Sequence, residues 1–115
     1  MSRTPQEIFQ NHVEALGAGD VDGIVADYAD DSVLITPREV RRGKDEIRQW
    51  FTGLLAELPD AKWDLPTVVF EGDVLFIEWT AETPTVRVAD GIDTVVFGED
   101  RIRVQTVRYT TKTVA

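Results

Sequence analysis

Two side chains in this sequence have types and positions suited to proton chemistry, His12 and Asp93. His12 is the only histidine, and an imidazole titrates near neutral pH, so it can serve as general base, acid or hydrogen-bond donor. Phe9, Val13 and Leu16 fall at i, i+4 and i+7, one helical face, and His12 lies on that face or its edge. It is expected either to point into a cavity or to sit partly buried as an ordinary core histidine. Asp93 alternates with Val95 and Phe97, which puts the three on one strand face. If that face lines an apolar cavity, desolvation raises the acid's pKa and favours its neutral, hydrogen-bond-donating form. If Asp93 lies at a hairpin end, it is simply solvated. Were the two adjacent, each would alter the other's protonation, and an ion pair would compete with the neutral arrangement.

Other chemistries find no residues to carry them. Cysteine is absent, which excludes disulfides, thiol nucleophiles and thiolate metal sites. No cluster of metal-ligand spacing surrounds His12, and no dinucleotide fingerprint, P-loop or nucleophile elbow appears. Neither metal nor cofactor is expected. The net charge of −9 argues against a nucleic-acid partner. The nearest approach to a basic cluster, Arg38, Arg41, Arg42 and Lys44, is interrupted by Glu39 and Asp45 and reads as a solvated loop. No run approaches the ~20 apolar residues of a membrane helix, and Met1 to Glu7 carries no leader-like apolar segment. A cytoplasmic location is expected, with no membrane partner.

The elements that must position the two residues follow from pattern. Thr4, Pro5 and Glu7 form a helix start with a capping box, and Gly17 and Gly19 end that helix. Asp20 can cap a second helix with Val21, Ile24, Val25 and Tyr28 as its inner stripe, and Asp30 and Asp31 belong to the turn that follows. Ser32 to Thr36 is a short strand closed by Pro37, and a weak strand returns through Val40 to Arg42. Ile47, Trp50, Phe51, Leu54, Leu55 and Leu58 give a third helix, opened by Gly43 and stopped at Pro59. Four β runs follow: Lys62 to Phe70, Val74 to Glu82, about Thr85 to Phe97, and Arg101 to Thr111. Glu71-Gly72-Asp73 and Gly98-Glu99-Asp100 are hairpin turns, while the middle turn falls at Thr83-Pro84 or at Asp90-Gly91.

Helices first and antiparallel strands afterwards predict one α+β domain, with three helices covering one face of a curved sheet. The runs Val74 to Ile77 and Thr94 to Phe97 are apolar on both strand faces, so the sheet needs a second cover, and a homodimer is expected. The predicted pocket walls are Leu34 and Thr36 from the first strand and Trp50 and Phe51 from the third helix. Trp79 comes from a middle strand, and Gln105, Val107 and Tyr109 from the last. Trp63 belongs to the pocket or to a dimer face, and Glu78 points away from Trp79, toward Arg103 or Arg108.

The stretch Gly19-Asp20-Val21-Asp22-Gly23-Ile24-Val25, then Tyr28-Ala29-Asp30-Asp31, then Pro37, Gly43 and Ile47, resembles the N-terminal half of the NTF2-like superfamily, with its SnoaL-like polyketide cyclases and ketosteroid isomerases. The resemblance implies a cystatin-like cone with a mixed, mostly antiparallel sheet. It places His12 at the isomerases' oxyanion tyrosine, Tyr28 and Phe51 at two network tyrosines, Tyr109 at a pocket aromatic and Asp93 at their protonated oxyanion aspartate. The isomerases' general base falls on Thr36, which cannot act as a base near neutral pH. The epoxide-hydrolase pair falls on Trp79 and Ala81, so that chemistry is unsupported. Three readings stand. The first is a cofactor-independent isomerase, cyclase or dehydratase acting on an apolar carbonyl compound, with Asp93 or Tyr28 stabilising an oxyanion and His12 moving the proton. The second is a binder of a small hydrophobic molecule, and the third an interaction domain.

Overall fold

The computed structural model describes residues 3–114; Met1 and Ser2, the first residues of the segment tested for a leader, and Ala115 lie outside the described residues. The first helix, α1 (Pro5–Ala18), starts at the expected capping box. Thr4 accepts from the Glu7 amide, and the Glu7 carboxylate accepts from the Thr4 amide. It ends on Gly19 in the left-handed region. A short α2 (Val21–Val25) is capped by Asp20, whose carboxylate accepts from Gly23 N.

The chain leaves α2 earlier than expected. Tyr28 opens strand β1 (Tyr28–Ile35) rather than closing a helix, and Asp30 and Asp31 are strand residues rather than turn residues. The cause is long-range. Asp27 O accepts from Ile102 N at 2.7 Å, and the buried Asp27 carboxylate accepts from Arg3 on one oxygen and from the Asn11 amide on both. That anchor starts the parallel pairing of β1 with β6 (Arg101–Arg108). Strand β2 (Val40–Arg42) returns antiparallel to β1, and α3 (Gly43–Glu57) follows as expected.

Strands β3 (Lys62–Glu71), β4 (Val74–Glu82), β5 (Val86–Gly98) and β6 form an antiparallel meander, with β7 (Lys112–Thr113) paired to β5. The sheet order is β2-β1-β6-β5-β4-β3, mixed through the single parallel pair β1/β6. Both hairpin turns lie where the sequence puts them, and Glu99 and Asp100 both adopt positive φ, as a two-residue hairpin of the favoured twist demands. The middle turn is at Thr83-Pro84-Thr85. There the Thr83 hydroxyl accepts from Thr85 N and Val86 N, which closes the turn around Pro84. Gly91 instead sits inside β5 opposite Trp79.

The inner face carries Leu75, Ile77, Trp79, Asp93, Val95, Gln105 and Val107, and the helices cover it. A register shift between Val96 and Phe97 lets Ile102 and Gln105, of opposite parity, both face inward. The outer face exposes Val69, Val74 and Phe76. Glu78 is also on the outer face, where it accepts from the Thr67 hydroxyl at 2.6 Å; the predicted partner Arg103 pairs with Asp31 instead. Among the described residues no helix is long and apolar enough to cross a membrane.

Candidate functional site

A cavity of about 310 Å³ remains between the helices and the inner sheet face. Helix α1 contributes Phe9, His12, Val13 and Leu16, and α3 contributes Trp50, Phe51 and Leu54. The sheet contributes Trp63, Asp64 and Leu65 from β3, Ile77 and Trp79 from β4, Asp93 from β5, and Gln105 and Val107 from β6. Asp64 is exposed to solvent, so the cavity reaches the surface beside β3. Its size is at the lower end of the range for small-ligand sites.

His12 and Asp93 both line this space and both are buried. Asp93 is held from two sides. Its Oδ1 accepts from Trp79 Nε1–H and its Oδ2 from Gln105 Nε2–H, each at 2.9 Å. The Gln105 carbonyl in turn accepts the Tyr28 hydroxyl, which ties Tyr28, Gln105, Asp93 and Trp79 into one chain of hydrogen bonds. Burial pushes the Asp93 carboxyl up to about 6, against the two donors, which pull it down. Donors on both oxygens suit a carboxylate, not the protonated donor expected from the strand pattern. At neutral pH Asp93 is therefore largely ionised.

His12 shifts the opposite way. Desolvation pushes its imidazole down to about 4, with Asp27 pulling weakly in the other direction, so it is neutral at neutral pH. Its ring meets Tyr28 and Phe51 edge-on, at centroid distances of 6.1 and 5.7 Å. Nδ1 is buried and has no hydrogen-bond partner.

Trp79 is positioned by what is missing opposite it. A Cβ on Gly91 would stand 2.2 Å from the indole Cδ2, so only glycine lets the ring lie flat across β5. Trp63 and Tyr109 close on the same ring at 5.6 and 5.3 Å.

Several predicted wall residues lie elsewhere. Leu34 shares a sheet row with Gln105 but is fully buried in the core. Thr36 is in the β1–β2 turn, where its hydroxyl accepts from Arg38 N and Glu39 N at 3.2 Å, which turns it away from the cavity. Tyr28 is behind the wall, bonded to Gln105, and burial pushes its hydroxyl well above the usual phenol range. Tyr109 donates to Glu57 Oε1 at 2.8 Å and lies in a neighbouring groove. Trp50, Phe51, Trp79, Gln105 and Val107 do line the cavity. Sequence reasoning missed Leu65 because a register shift between Asp64 and Thr67 changes the parity of β3, and Ile77 because the run Val74 to Ile77 is apolar at every position, so alternation does not single it out. Among the described residues no three His, Cys, Asp or Glu side chains are grouped to hold a metal ion.

Residues 9–105 match the family model of the SnoaL-like domain. The chain belongs to the SnoaL-like domain family. Solved structures similar to this SnoaL-like domain share its fold at low identity. An NTF2-like protein of unknown function from Cytophaga hutchinsonii superposes with a TM-score of 0.77 at 10% identity, covering 96% of this chain and 93% of the other. A Kribbella flavida protein, provisionally described as a ketosteroid isomerase, gives 0.78 at 12%, covering 96% and 81%. An uncharacterized cystatin-fold protein from Novosphingobium aromaticivorans gives 0.76 at 20%, covering 95% and 99%. At these identities the likeness concerns the fold, and function must be argued from the site.

Proposed function

We propose that this SnoaL-like domain is a cofactor-independent proton-transfer enzyme acting on a small apolar carbonyl compound, with Asp93 as the base. The observation that carries this reading is a buried carboxylate on a cavity wall, fixed by two donors, with burial pushing its pKa up to about 6. Such a group is ionised at neutral pH yet basic enough to take a proton from the carbon beside a carbonyl. The neutral His12 imidazole carries one N–H, which would donate to the carbonyl oxygen as negative charge builds there. The electron pair left by the C–H bond moves into the enolate; in a β,γ-unsaturated ketone that enolate is conjugated with the C=C bond, and return of the proton to the γ-carbon shifts the double bond and completes an isomerisation. These roles invert the sequence-based assignment, in which His12 moved the proton and Asp93 or Tyr28 held the oxyanion. Tyr28 keeps a positioning role: its hydroxyl orients the Gln105 amide, and Gln105 orients Asp93.

The test is exchange of α-hydrogens from small apolar ketones in heavy water, followed by proton NMR. Protein-dependent exchange that rises with pH through about 6 and then levels off is expected. Saturable ketone binding with no exchange above buffer would overturn the enzymatic reading and leave the binding one. The cell interior remains the proposed location, consistent with a cysteine-free chain. We also propose that the apolar outer face at Val69, Val74 and Phe76 packs against a second copy of the chain. A monomer mass by sedimentation at micromolar concentration would contradict this.

A further inference from the structure

Gly91 lies inside β5, paired with Trp79 of β4, and Asp93 follows two residues later, paired with Ile77. Gly91 is buried, and its backbone is not in the left-handed region where glycine would be required. Glycine in a strand interior gives up side-chain packing, and it often marks a close approach of another group. Here the group is the indole. A Cβ on Gly91 would overlap Trp79 Cδ2 and Cε2 and stand 2.7 Å from Cγ, and these are its three nearest atoms. Trp63 and Tyr109 pack against the same ring and restrain it. The Nε1–H of that ring is one of the two donors on the Asp93 carboxylate.

We infer that Gly91 is a positioning residue for Asp93: its bare backbone lets the indole lie across β5 with the N–H on Oδ1. The inference rests on the proton-transfer reading for what Asp93 does, and on the geometry for what Gly91 does. Among the described residues no Lys or Arg lines the cavity, so the ionised carboxylate is held there by neutral donors, Trp79 and Gln105, against burial. The other titratable groups around it are His12 from α1, Asp64 from β3, and Tyr28 from β1, which reaches it through Gln105. An alanine at 91 must push the ring off β5 by about 1 Å to reach ordinary carbon contact. That takes the N–H off its line to Oδ1 and weakens the bond. A donor to the ionised form holds an acid's pKa down, so weakening it moves the carboxyl up.

The experiment compares the Asp93 midpoint, read by carboxyl ¹³C NMR, in wild type, Gly91→Ala, Trp79→Phe and the double variant. Trp79→Phe keeps a ring but loses the donor, and should raise the midpoint by about one pH unit. Gly91→Ala should raise it by about half a pH unit or more, and should add nothing in the Trp79→Phe background. In wild-type protein the ¹⁵N-labelled Trp79 indole N–H should titrate with the same midpoint as Asp93. That measurement needs no substitution at Gly91, so the tie is tested even if Gly91→Ala fails to fold. A Gly91→Ala midpoint equal to wild type, an equal rise with and without the indole, or an indole resonance indifferent to Asp93 ionisation would overturn the inference. Ketone exchange on the same samples reads the other claim: midpoints as expected without any exchange would support the Gly91 tie and defeat the proton-transfer reading.

Discussion

Replacing Asp93 with Asn should reduce ketone α-hydrogen exchange by about 10²–10⁴-fold, the usual contribution of a positioned general base. Ketone affinity should stay within a few-fold of wild type, because the cavity keeps its shape. The amide has one acceptor and one donor end where the carboxylate has two acceptors, and it faces two donors, Trp79 Nε1–H and the Gln105 amide nitrogen. One of those contacts must become donor against donor. If the Gln105 amide turns over to relieve it, the Tyr28 hydroxyl loses its acceptor. Either outcome leaves one buried donor without an acceptor, a cost of about 1–3 kcal/mol, offset by removal of a buried charge, so the variant remains folded. Exchange at wild-type rate in folded Asp93→Asn protein would remove Asp93 from the mechanism.

The second large effect concerns stability. Folding raises the Asp93 pKa from the ordinary aspartate value to about 6, so its contribution is fully present below the unfolded value and is lost as pH rises through 6. Folding lowers the His12 pKa from the ordinary histidine value to about 4, so its contribution is present above the unfolded value and is lost as pH falls through 4. Between these two values the slopes have opposite signs and similar sizes, and they cancel. His12→Gln removes one of them. Relative to wild type, its stability should fall by about 1.4 kcal/mol per pH unit as pH rises across this window, about 3 kcal/mol in all. Asp93→Asn should show the reverse slope. Exposed acids such as Glu7 and Asp90, whose carboxyls hydrogen bonds hold low, tilt all three curves alike and drop out of the difference. Urea denaturation at several pH values reads the effect, and parallel curves for wild type and His12→Gln would contradict it.

The elements governed by local chemistry are legible in the amino-acid sequence. The capping box at Thr4, the 3.6-residue period of α3 and the two outer hairpin turns each depend on neighbours a few residues apart. What escapes depends on distant partners. Tyr28 continues a helical stripe by spacing, yet the tie between Asp27 and Ile102 commits it to a strand. Asp90-Gly91 has the composition of a turn, but its glycine is there to admit the Trp79 ring. The site divides the same way. Strand alternation is enough to bring Asp93, Gln105 and Val107 to one wall, and the helical period is enough for His12. The protonation states are not readable from residue order, because they turn on which donors meet the Asp93 oxygens and on an imidazole nitrogen that meets none. Thr36 and Tyr109 belong by sequence to the cavity and by packing to the groove, since Trp50 stands between the two spaces.

The most direct measurement is a pH titration of the Asp93 side-chain carboxyl carbon by ¹³C NMR, assigned with Asp93→Asn. A midpoint near 6 is expected for a carboxylate set in a desolvated wall and ready to accept a proton. A midpoint in the ordinary aspartate range would mean the group is solvated, and the proposed base would be lost with it.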